Sequence, residues 1–253
     1  MTPFTNLYAL YYDAMYAGKD YAAETEYILR AFREVNLSHG RLLSLGAGTL
    51  NYELLLAEKG YDITGVDLSA DMVTLGKKKI GSRKNLSLEV ADMRSLSQYP
   101  KCFDGALALF NVISYCRTAD ELAAVFNGVA KNLKLGGIFA LDYWNGEAVL
   151  KSPPEDRQRT LTIQGRTLLR STKVMSISGM EMELSIEIRE VMGGSMSPAE
   201  IETHFVHGWD RSELQAIAAR SGFKLRHESV FPEWDVPASP DRWALGAVFE
   251  KIS

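Results

Sequence analysis

The chain has 253 residues, 46% hydrophobic and 24% charged, with a net charge of −4 spread evenly along it. This is globular composition, in which roughly 70% of the unfolded surface is buried on folding without a disulfide or metal staple. It excludes a disordered or fibrous chain, holds no apolar run near the ~18 residues of a membrane span, and argues against nucleic acid or an anionic membrane as partner.

The start, Met1 through Thr5, lacks the basic and apolar regions of a secretory signal, and Cys102 and Cys116 read as reduced thiols, so a cytoplasmic protein is expected. A first helix is expected over about residues 20–35, preceded by Tyr8, Tyr11, Tyr12 and Tyr16. Tyr8 and Tyr11 read as packing against the sheet edge, whereas Tyr16 and Tyr21 flank Gly18, a joint suited to a lid over a cleft. Short apolar runs at 41–45, 62–66, 87–90, 104–109 and 137–141 read as buried strands. Amphipathic stretches at 52–59, 70–79 and 119–133 read as the helices between them, with Ser69 as an N-cap and a capping box opening at Thr118. Gly60, Gly136 and Gly137 stand where left-handed C-caps are expected. Lys77, Lys78 and Lys79, with Arg83 and Lys84, end a helix and read as a solvated face.

Strands alternating with helices predict a parallel sheet with right-handed crossovers. Beyond Lys151 the texture changes to alternating polar and apolar residues at 159–163, 167–177, 180–191 and 200–206, broken at Gln164-Gly165, Ser178-Gly179 and 193–198. These read as antiparallel hairpins. A helix from Asp210 to near Gly222 and strands at about 223–231 and 243–250 resume the first architecture. The expected organisation is therefore one α/β domain from 1–150 and 207–253, with an antiparallel insertion at 151–206 covering the active site.

In Leu45-Gly46-Ala47-Gly48-Thr49-Leu50-Asn51 a buried strand ends in a glycine turn, and a helix opens just after it. Alone, the glycines would serve a tight turn equally well. Asp67 ends the second strand, where a carboxylate can accept from both hydroxyls of a ribose, so the pair reads as a nucleoside site. Asn51 stands where a dinucleotide fingerprint wants a third glycine, which disfavours an oxidoreductase. Asp92 followed by Met93 can hold an adenine, although Asp92 would also serve as a cap.

Gly46-Ala47-Gly48, Asp67, Ala91-Asp92-Met93, Phe103-Asp104 and Leu135-Gly136-Gly137 resemble, in order and spacing, the motifs of class I S-adenosylmethionine-dependent methyltransferases. The resemblance implies a doubly wound, Rossmann-like α/β fold whose seven-stranded, mostly parallel sheet has an antiparallel last strand. It implies S-adenosylmethionine as cofactor, with Leu68, Met72 and Leu109 beside it. Leu50, where many members have a small residue, is expected to crowd the methionine end. A narrower resemblance, in 12–24, Ala91 through Arg94, Phe110 through Tyr115, Leu141 through Trp144 and Arg242 before Leu245-Gly246-Ala247-Val248, is to the N,N-dimethyltransferases of nucleotide-linked amino sugars. It implies Tyr16, Tyr115 and Arg242 near the amine and diphosphate, Tyr21 at the cofactor carboxylate, and Asn111 and Trp144 on the substrate side. Tyr143-Trp144-Asn145 departs from the family's Pro-Trp-Trp, so sugar identity does not carry over.

An amine attacks only as its free base, which makes Tyr16, Tyr115 and His204 the candidates for taking a proton. His204 and His207 are three apart on a strand and point to opposite faces, which suits neither a shared site nor a metal, and no metal is expected. The expected partner is a small molecule, with homodimerisation left open. The rival readings are a small-molecule O-methyltransferase on the same fold and a non-catalytic cofactor-binding module.

Overall fold

The computed structural model describes residues 3–96, 102–163, 165–192 and 195–253. The turn expected at Gln164 and part of the break at 193–198 (Gly193 and Gly194) lie outside the described residues. Two N-terminal helices, α1 (Asn6–Met15) and α2 (Tyr21–Arg33), precede five parallel strands: β1 (Arg41–Leu45), β2 (Asp62–Asp67), β3 (Leu86–Val90), β4 (Phe103–Ala108) and β5 (Leu133–Trp144). The crossovers are α3 (Asn51–Glu58), α4 (Ala70–Ile80) and α5 (Ala119–Asn132). Local chemistry starts two of them as expected: Ser69 accepts from the Met72 N–H, and Thr118 from the Glu121 N–H.

A short helix α6 (Gly146–Lys151) leads into β6 (Arg157–Ile163), β7 (Arg166–Ser178), β8 (Glu181–Met192), β9 (Ser195–Met196) and β10 (Glu200–His207). These five strands form their own antiparallel sheet, in the order β10-β8-β7-β6 with β9 beside β8. The chain then returns through α7 (Arg211–Arg220) to β11 (Phe223–Val230), β12 (Glu233–Pro237) and β13 (Ala244–Lys251). The main sheet runs β12-β11-β13-β5-β4-β1-β2-β3, with β13 antiparallel to β5.

Apolar side chains cover both faces of this sheet. Phe126 of α5 meets Phe139, Phe223 and Phe249 edge-on on one side. Tyr27, Ile28, Phe32 and Leu56 of α2 and α3 fill the other. Among the described residues no helix is long and apolar enough to cross a membrane.

The mostly parallel α/β fold agrees with the sequence reading, and the details correct it. Among the described residues the sheet has eight strands, because the proline-rich stretch after Phe231 folds back as β12 on the edge of β11. Strand β5 begins directly after α5 and carries Gly136, at φ +77, within it rather than as a helix cap. Helix α1 was not expected because no local signal starts it. Thr5 makes no side-chain cap, and carboxylates distant in sequence receive the N–H groups instead: Glu202 those of Phe4 and Thr5, Asp71 that of Asn6, and Glu200 that of Leu7.

Candidate active site

The carboxyl ends of β1, β2 and β4 open on a cavity of about 1090 Å³, roofed by α1 and by the inner face of the second sheet. At its floor Gly46 and Gly48 take φ +60 and +53. A Cβ on Gly46 would stand 2.5 Å from Val112 Cγ2, so this position at the cavity floor has no room for a side chain. Asp67 caps the turn from the next strand. Its Oδ2 accepts from the Gly48 N–H and its Oδ1 from the Ser69 N–H, each at 2.8 Å. Burial raises its pKa against those two hydrogen bonds.

Leu50, expected to crowd this floor, turns away from it. At φ +69 its side chain is fully buried against Ala47, Val73 and Leu88. Lys79 likewise leaves the solvated face assigned to it. Its Nζ reaches Asp13 at 2.7 Å, Asn51 at 2.8 Å and Thr49 at 3.0 Å, and Asp13 also accepts from Thr49 Oγ1 and Asn51 Nδ2, tying α1 to the glycine turn.

On the next strand's end Asp92 accepts from the Arg94 N–H at 2.9 Å and pairs with the Arg94 guanidinium at 2.7 Å, which holds its carboxyl below the ordinary range. Arg94 continues to Glu121 at 2.7 Å. At the end of β4, Phe110 and Asn111 both adopt left-handed backbone, at φ +69 and +58. Asp142 secures this strained pair: its carboxyl accepts from the Asn111 N–H at 3.1 Å, and burial pushes it up to about 7. Asn111 Oδ1 is left buried without a hydrogen-bond partner.

The wall opposite is aromatic and carries a chain of titratable groups. Tyr115 Oη lies 2.8 Å from His204 Nδ1, and His204 Nε2 lies 3.3 Å from Glu202 Oε2. A carboxylate beside Nε2 favours the tautomer protonated there, which leaves Nδ1 to accept from the Tyr115 hydroxyl. Burial raises the Tyr115 pKa well above its usual value, so its phenol is neutral. Burial opposes the ionisation of Glu202, but His204 and the N–H groups of Thr5 and Phe4 hold its pKa low. Phe4 packs edge-on against Tyr8, Tyr115 and His204 at 5.2–5.8 Å. Tyr8 and Tyr16 share a 3.0 Å hydrogen bond, and Trp144 meets Trp243 at 5.5 Å.

Residues 42–137 match a family model described as a methyltransferase domain. The chain is 24% identical over 240 residues, 93% of each chain, to YqeM of Bacillus subtilis (strain 168). The sugar N-methyltransferase KedS8 from Streptoalloteichus sp ATCC 53650 shares its fold, with a TM-score of 0.80 at 23% identity over 98% of this chain and 94% of that one. The chain therefore carries a methyltransferase domain, on the fold of S-adenosylmethionine-dependent methyltransferases. It is also 30% identical over 135 residues to the dTDP-3-amino-3,4,6-trideoxy-alpha-D-glucopyranose N,N-dimethyltransferase of Streptomyces venezuelae, an alignment covering 53% of this chain and 55% of that enzyme.

The methyltransferase's cavity suits that cofactor in three respects: the backbone cradle at Gly46, the Asp67 carboxylate at its rim, and the orphaned Asn111 oxygen. Of the residues expected from sequence, Gly46, Gly48, Asp67, Leu68, Met72, Asp92, Met93, Leu109, Tyr16, Asn111, Tyr115, Trp144 and His204 line it together. Three do not. Ala47 packs behind the turn, and Tyr21 lies edge-on to Tyr52 at 5.0 Å. Arg242, expected at the diphosphate, pairs with Glu233 of β12 at an exposed site.

His207 points away, 4.5 Å from the Trp209 ring. Tyr8 lines the cavity instead of the sheet edge, and Tyr11 hydrogen-bonds Glu190 of the second sheet. Sequence reasoning missed Phe4, Tyr8, Glu202 and Arg170. For Glu202 a signal existed, because it sits two residues from His204 on a strand and therefore shares its face.

Proposed function

We propose that the methyltransferase N-methylates the amino group of a nucleotide-linked amino sugar. The observation that carries this reading is the Tyr115–His204–Glu202 chain opening on the cavity, and the Streptomyces venezuelae relative supports it. S-adenosylmethionine, when bound, supplies an electrophilic methyl group, so the chain's own task is alignment and proton removal. In this reading Gly46, Gly48 and Asp67 hold the cofactor's end of the cavity. Tyr16, steadied by Tyr8, and the Trp144–Trp243 pair orient the acceptor.

The acceptor nitrogen gives its proton to Tyr115 Oη as the phenol passes its own to His204 Nδ1. The imidazolium so formed faces the Glu202 carboxylate. The second sheet serves as cover: β6, β7, β8 and β10 all contribute to the lining. Free thiols at Cys102 and Cys116 support a cytoplasmic setting.

The test is incubation with S-adenosylmethionine and dTDP-linked amino sugars beside their hydroxyl counterparts, with mass detection of added CH2 units. Gain on the amino sugars alone is expected, and gain on the hydroxyl sugars alone would make this an O-methyltransferase. His204→Gln is expected to lower kcat about 10²- to 10⁴-fold near pH 7. The deficit should shrink towards pH 9, where the amine sheds its proton unaided. A deficit that is constant with pH would remove His204 from proton transfer.

A further inference from the structure

We infer that the inner face of the second sheet carries an oxyanion subsite, formed by Arg170 and Arg159 with Arg157 at its margin. The inference rests on reading this cavity as the acceptor site, and not on the acceptor's being an amino sugar. It names the acceptor's second recognition element: an anionic group, phosphate or carboxylate, held away from the reacting nitrogen.

The antiparallel register sets Arg159 of β6 directly opposite Arg170 of β7, and Arg157 opposite Thr172. Alternation along each strand puts these four on one face, and all four line the cavity. Like charges facing each other across a ladder destabilise a sheet unless something negative sits between them.

The acids nearby are already engaged. On the same face Glu200 receives the Leu7 N–H, Glu202 receives those of Phe4 and Thr5, and Glu190 pairs with Arg166 at 2.7 Å. On the other face Glu187 pairs with Lys173 at 2.9 Å. Glu155, in the loop before β6, lines the cavity as well, yet among the described residues no carboxylate pairs with Arg157, Arg159 or Arg170.

Arg170 carries the argument furthest. Its Nε is buried without a hydrogen-bond partner, and its guanidinium lies 5.9 Å from the Tyr8 ring. Tyr8 and Tyr115 around it are phenols kept neutral by burial, so they offer no counter-charge. A guanidinium drawn from water without a counter-ion is costly, and its fork suits two oxygens of one phosphate or carboxylate.

The experiment is calorimetry on the full chain loaded with S-adenosylhomocysteine, titrated with pyrophosphate, thymidine diphosphate and malonate. At least one anion should bind, with pyrophosphate or the nucleotide indicating a phosphate group and malonate alone a carboxylate. R170Q and R159Q should each weaken it about 10- to 100-fold. R170K should recover part of the loss, R242Q should match the parent, and S-adenosylhomocysteine affinity should stay unchanged throughout, which also reports an intact fold. Equal anion affinity in parent, R170Q and R159Q, or no anion binding by the parent, would overturn the subsite. If anions fail to bind while uncharged amino glycosides are methylated, the subsite fails and N-methylation stands. If R170Q abolishes anion binding and no amino sugar is methylated, the subsite stands and the amino-sugar reading fails.

Discussion

Asp67 spends one lone pair of each oxygen on the backbone of the glycine turn and still faces the cavity. Asp67→Ala should therefore loosen the turn and remove the carboxylate proposed to accept from the ribose, weakening S-adenosylhomocysteine binding by about 1.5–3 kcal/mol. Calorimetry giving an unchanged Kd would sink the assignment. The position of Asp67 was legible in the sequence because it follows from local features: the end of a buried strand, and a fixed distance from two glycines. Leu50 was misread because the sequence names its size and not its direction. A left-handed backbone sends the side chain into the α4 interface, where Val73 and Leu88 receive it. Arg242 was misread in a related way, since a family match gives position along the chain and the deciding partner, Glu233, lies on a strand that reads as loop.

At the scale of elements, the strand–turn–helix joint between β1 and α3 is held from beneath by a buried carboxyl. Glu53 of α3 accepts from Ser44 Oγ of β1 at 2.5 Å, and burial pushes it up to about 7. Between about pH 4.5 and 7 the unfolded chain loses this proton while the folded chain keeps it. Stability therefore falls as pH rises through that window, by up to ~1.4 kcal/mol per pH unit, and levels off above it. Asp142 adds a slope of the same sign. Glu53→Gln should flatten its own share, read as a shallower fall in the urea midpoint from pH 5 to 7. Parallel profiles for parent and variant would exclude Glu53.

Above this joint, Gly46→Ala should cost stability and cofactor affinity through both a left-handed φ and the clash with Val112. Adding Val112→Ala should restore only the part due to the clash, and affinity unchanged in the single variant would refute the cradle. Most helices and strands of the main sheet could be read because periodicity and caps are local. Helix α1 could not, because the groups that start it come from Asp71, Glu200 and Glu202.

Across the whole molecule, the two covers of the cavity hold each other. Glu202 joins the N-terminal segment to the second sheet and touches His204 in the same step, so the order of the cover and the orientation of the imidazole share one carboxylate. Glu202→Ala should speed amide exchange at Phe4 and Thr5 by about 10-fold or more, the scale of hydrogen bonds to a charged group. It should leave exchange in β1 and β4 as it was. Unaltered exchange at Phe4 and Thr5 would mean that α1 is secured elsewhere. Such couplings span nearly the full chain and leave no trace in any local window, which is why the glycine-turn side of the cavity was far more legible than the side beneath α1 and the second sheet.

The far end of the main sheet has its own consequence. Strand β12 is five residues long and ends at Pro237, and its Glu233 and Asp235 are bound by Arg242 and Arg30 of the same chain. A proline offers no N–H to an incoming strand, and charged side chains on a short edge repel one. This margin is therefore built against pairing with the edge of a second sheet. Arg242, with no place in the cavity, serves the edge instead, fixing Glu233 and with it the course of the last strand on this side of the sheet.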